Sequence, residues 1–90
     1  MKLTYYNYKQ LGKELTKGKG LTRTTSKLFE SVMFWALQHN DVKDTVTVNG
    51  KTADCLYDLQ KAGLVRVFRD YKYYGAELLG SWELDNTWNG

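Results

Sequence analysis

The stretch CLYDLQKAGLVRVFRD, Cys55–Asp70, constrains this chain most, because the hydrophobic period changes inside it from that of a helix to that of a strand. Ala53, Leu56, Leu59 and Ala62, with Cys55 beside them, share one apolar stripe at helical spacing, while Lys51, Asp54, Tyr57, Asp58 and Lys61 face the other way. Gly63 supplies the left-handed residue that ends a helix over 52–62, and the chain then reverses into a strand from Leu64 to Phe68. DYKYYGAELLG reads as a loop with two glycines, and SWEL as the returning strand with Trp82 and Leu84 facing inward. The expectation is a helix that passes through a glycine bend into a two-stranded flap over 65–84.

The strongest helical signal lies upstream, in KLFESVMFWALQHN, where Leu28, Phe29, Val32, Met33, Ala36 and Leu37 fall on one face with Trp35 on its margin. Thr24, Thr25 or Ser26 would cap this helix by accepting a backbone N–H. The same rotation puts Phe34 on the polar face among Lys27, Glu30, Ser31 and Gln38, and two readings stand for it. One is cover by an N-terminal element carrying Tyr5, Tyr6 and Tyr8; the other is contact with a partner. YKQLGKEL reads as a short helix weakened by Gly12, and TKGKGLTRTT as a mobile basic connection. In DTVTVNGKTAD, Val46 and Val48 alternate with Thr45 and Thr47 as in a strand, and Asn49 or Thr52 then caps the next helix. NGKT does not make a phosphate loop, since Thr45 stands where that motif needs its first Gly.

Ninety residues bound the chain to one domain, taken here as 1–90 with a basic N-terminal arm over 1–24. A lone Cys55 forbids an internal disulfide, and with His39 the only histidine there are too few ligands for a Cys/His zinc site. No paired acid and base marks a catalytic centre, so the chain reads as a non-enzymatic protein with no cofactor and no metal. The longest apolar run, Val32 to Leu37, is too short to span a membrane, and a cytoplasmic location is expected. Charge is distributed unevenly: residues 1–30 carry seven cations against two carboxylates, and the rest six against eight. Attraction for phosphate therefore concentrates at Lys13, Lys17, Lys19, Arg23 and Lys27, with Arg66, Arg69 and Lys72 as a smaller second cluster. Tyr71, Lys72, Tyr73 and Tyr74 crowd the flap and suit sugar–phosphate contact, a protein-binding edge or cover for the core.

LQKAGLVRVFRD resembles the helix end and wing start of winged helix-turn-helix domains in small bacterial and phage regulators, and the resemblance covers roughly residues 25–85. It implies an α+β fold of about three helices, a short strand and a C-terminal two-stranded wing. It also implies double-stranded DNA as partner, with Lys51, Thr52, Tyr57 and Lys61 toward the groove, Arg66, Arg69, Lys72 and Tyr73 on the backbone, and a homodimer on a two-fold site. Because Asp54 and Asp58 offset Lys51 and Lys61, a second expectation is a protein-binding module that grips a host protein through Phe34, Tyr71, Tyr74 or Trp88. Small, proline-free, tyrosine- and lysine-rich chains of this kind resemble phage or mobile-element products.

Overall fold

Helix α2 (Arg23–His39) is the element around which the others pack, and its apolar stripe is the floor of the core. The structure, a computed structural model, describes residues 1–44, 50–71 and 73–88. In chain order the elements are β1 (Lys2–Thr4), α1 (Tyr8–Thr16), α2, β2 (Lys43–Asp44), α3 (Gly50–Lys61), β3 (Val65–Asp70), β4 (Tyr73–Leu78) and β5 (Glu83–Asp85). This is a small α+β protein with three helices and an antiparallel hairpin. No helix among the described residues is long and apolar enough to cross a membrane.

Phe29, Val32, Met33, Ala36 and Leu37 of α2 are fully buried, as their spacing requires, and Leu28 is half-buried. They meet Leu56 and Leu59 of α3, Val65 of β3, Ala76 and Leu78 of β4, and Leu3 of β1. Each such Val, Leu, Met or Phe side chain contributes about 2 kcal/mol when fully buried. The cap of α2 differs from the expected cluster: Thr22, one turn earlier, accepts the Thr25 N–H at 3.2 Å and donates its hydroxyl to Thr25 Oγ1 at 3.0 Å. Thr25 is buried and Arg23, Thr24 and Ser26 already belong to the first turn, so none of the three expected residues is placed to cap. At the other end Asn40 takes a left-handed conformation (φ 51°), and the Asp41 and Asn40 N–H groups bond Ala36 O and Leu37 O.

Helix α3 ends as its sequence predicts. Gly63 sits at φ 79°, its N–H bonds Gln60 O at 3.0 Å, and the Leu64 N–H reaches back to Leu59 O at 3.1 Å. The Thr52 cap is overturned, because Thr52 lies within the helix; Asn49 and the strand alternation over 45–49 lie outside the described residues.

The hairpin forms, but its return strand is a different segment. β3 pairs with β4 in the register Val65↔Leu78 through Asp70↔Tyr73, so YYGAEL, read as loop, is strand. Gly75 explains the misreading. It stands opposite Phe68, whose ring lies across its backbone, and a Cβ at Gly75 would run into that ring. β2 joins the other side of β4, giving the antiparallel order β2-β4-β3. SWEL leaves the hairpin entirely. Its residues Glu83 and Leu84, with Asp85, pair in parallel with Lys2, Leu3 and Thr4, while Trp82 and Leu84 do pack on the core.

Residues 1–24 are accordingly no arm set apart from the domain. Leu3 is fully buried, α1 packs on α2, and Thr16 at the end of α1 shares a hydrogen bond of 2.9 Å with Ser26. Only the turn over 17–22, basic and with Gly18 and Gly20 at positive φ, keeps the character of a connection.

Candidate nucleic-acid interface

Helices α1 and α2 run antiparallel, since Tyr8 at the start of α1 meets Phe34 far along α2 and Thr16 meets Ser26 near its start. Gly12 sets how close they come: a Cβ there would lie 2.7 Å from Glu30 Cγ and 3.1 Å from Met33 Cε. Beside this seam opens a solvent-accessible groove of about 580 Å³. Lys9 and Lys13 line it from α1, and Arg23 and Lys27 from α2, each pair four residues apart and therefore on one helix face. Tyr8, Phe34 and Trp35 line it as well, so that Lys9 lies toward the aromatic end and Arg23, in the first turn of α2, toward the other.

Four cations face one carboxylate there, that of Glu30. Among the described residues no ion pair engages Lys9, Lys13, Arg23 or Lys27; the pairs present are Lys2–Asp85 and Arg66–Glu77. The rings hold one another. Phe34 is half-buried with Tyr5, Tyr8 and Trp35 at centroid distances of 6.0, 5.7 and 5.8 Å, which realises its cover by N-terminal tyrosines. Trp35 remains 43% exposed, with His39 5.5 Å behind it.

No family model, curated protein or solved structure matches this chain.

The structure brings together Lys13, Arg23 and Lys27 from the expected phosphate-binding set and adds Lys9, which the charge count alone did not single out. The signal lay in the spacings Lys9–Lys13 and Arg23–Lys27, which place cations on helix faces that already carried Tyr8 and Phe34. Lys17 borders a smaller hollow beside Lys13, and Lys19 lies near Lys61 where the 17–22 turn approaches the end of α3.

The expected second cluster divides. Arg66 and Arg69 lie an odd number of residues apart on one strand and so point to opposite faces. Arg66 is tied to Glu77 at 3.2 Å and lies over Phe68 at 5.9 Å, with Lys43 above the same ring at 5.4 Å. Arg69 donates to Tyr71 O at 3.1 Å and lies 5.2 Å from the Tyr74 ring. Tyr74 in turn meets Tyr57 of α3 edge-on at 6.4 Å, so the outward side of α3 and this side of the hairpin form one surface. Tyr57, Asp54, Asp58 and Lys61 are exposed on α3, while Thr52 is half-buried in its first turn. Tyr73 and Tyr71 are exposed on the hairpin, Tyr71 to 84%. Lys72 and the side chain of Lys51 lie outside the described residues. Trp88 stacks on Tyr6 (6.2 Å, 9°) and meets Tyr5 edge-on, an account of its position that its sequence neighbours did not offer.

Proposed function

We propose that this chain is a non-enzymatic DNA-binding protein that regulates transcription in the manner of a winged helix, with α3 toward the duplex and the β3–β4 hairpin as the wing. The observation that carries the reading is the Tyr57–Tyr74 contact. It joins helix and hairpin into one surface on which Lys61 and Arg69 are exposed. The connection through Gly63 and the three-stranded order β2-β4-β3 support it, since a wing has to be held rigidly against the helix it accompanies.

The test is fluorescence anisotropy of labelled duplex DNA against increasing salt. Affinity should fall steeply, and Lys61→Ala and Arg69→Ala should each lower the slope of log K against log salt by about one. An absence of duplex affinity at low salt would remove the reading.

A second reading, a module that grips a host protein, is favoured by a different observation. Asp54 and Asp58 are exposed beside Lys61, and Glu77 neutralises Arg66, while Tyr71 and Trp88 stand 84% and 67% exposed. Without duplex affinity, and with partner capture from a host extract lost in Tyr71→Ala, this reading takes precedence.

A further inference from the structure

The α1–α2 groove is not part of the α3–hairpin surface, and its chemistry differs. Lys9 and Lys13 on one wall, and Arg23 and Lys27 on the other, form two cationic rails. Along each rail the charges are about 6 Å apart by helical rise, comparable with successive phosphates of an extended strand. Toward the Lys9 end the exposed Trp35 ring and the Tyr8 ring line the same space.

We propose that this groove binds single-stranded nucleic acid, the rails holding phosphates while Trp35 and Tyr8 stack on bases. Charge complementarity requires a polyanion. The rings decide which one: a base offers a flat π-face to Trp35 only when it is unstacked, as in a single strand, whereas in a duplex those faces are covered by neighbouring pairs. An acidic peptide would match the cations but leave the aromatic end without a complementary surface. A cavity of about 580 Å³ is of the size that holds a small organic group such as a base with its sugar. The open groove lets the rest of a strand continue past it.

The test uses the whole chain at low salt with three labelled probes: an oligo(dT) of about twelve nucleotides, a duplex of the same length and a poly-glutamate peptide. Oligo(dT) should bind more tightly than either alternative and quench Trp35 fluorescence. Trp35→Ala should weaken it about tenfold and Trp35→Phe, which keeps a ring, less than about threefold. Should Trp35→Ala disturb packing with Phe34, the exposed pair Lys13→Ala and Lys27→Ala serves instead. Each should reduce the salt slope for oligo(dT) by about 0.7. Arg69→Ala should leave oligo(dT) affinity within about twofold, which separates this site from the duplex-binding surface. The inference is overturned by no oligo(dT) affinity, by equal or tighter binding of the duplex, by preference for poly-glutamate, or by salt slopes that the lysine variants leave unchanged.

Discussion

Tyr71 holds φ 57° at the first of the two residues that connect β3 to β4, a left-handed conformation that crowds the Cβ of an aromatic residue. Two-residue hairpin turns favour Asn, Asp or Gly there. Tyr71→Asn should therefore raise stability by about 1 kcal/mol, seen as a higher urea midpoint at unchanged slope. The Arg69 bond to the Tyr71 carbonyl is to backbone and survives the change. A lowered midpoint would mean that the exposed ring contributes to the fold. This position also shows why the hairpin was half legible. Val65 and Val67 alternate as a strand must, and Tyr74, Ala76 and Leu78 carry the same alternation on the return. The turn, however, has no glycine, and the glycine that is present, Gly75, sits inside the strand under Phe68. Local turn chemistry thus pointed to a long loop where the chain makes a tight reversal.

Among the elements, α2 and α3 were readable because a helix that buries one face must repeat its apolar residues every three to four positions, and both do so. α1 is shorter, and its most useful residue looked like a defect. Gly12 costs helix propensity, about 1 kcal/mol against Ala, yet it admits Glu30 and Met33 from α2 into the space a methyl would fill. Gly12→Ala sets these two effects against each other. The nearest atom, Glu30 Cγ at 2.7 Å, is close to the backbone and not the free end of a flexible chain. Overpacking therefore outweighs propensity, and the variant should lose about 1 kcal/mol, measurable by thermal or urea unfolding. A stabilised Gly12→Ala would show that the helices separate at little cost. The groove follows from the same contact. The excess of cations in residues 1–30 was legible, but only the antiparallel seating of α1 on α2 brings Lys9, Lys13, Arg23 and Lys27 to one groove.

For the molecule as a whole, the pairing of β1 with β5 joins the two ends of the described chain, and nothing local announces it. β1 has three residues and β5 has three, both too short to show a period, and their partners are about eighty positions apart. Asp85 adds a tie of its own. The hydroxyl and N–H of Thr87, with Lys2 at 3.6 Å, hold its carboxyl below the usual carboxylate value. Trp88 then lies on Tyr5 and Tyr6, and Tyr5 lies on Phe34, so the C-terminal segment reaches α2 through the N-terminal one. If this closure belongs to one cooperative unit, a cavity opened at its first strand must weaken everything. Leu3 is fully buried and contacts the common core, so Leu3→Ala should cost about 3 kcal/mol of the roughly 5–13 kcal/mol expected for a domain of this size. Urea unfolding followed by both far-ultraviolet circular dichroism and tryptophan fluorescence would check it. The two signals should shift together to a lower midpoint, because α2 and α3 supply most of the dichroism while Trp82 and Trp88 flank β5 and Trp35 lies on α2. An arm independent of the domain would leave the dichroism midpoint where it was, and that result would detach β1 and β5 from the fold described here.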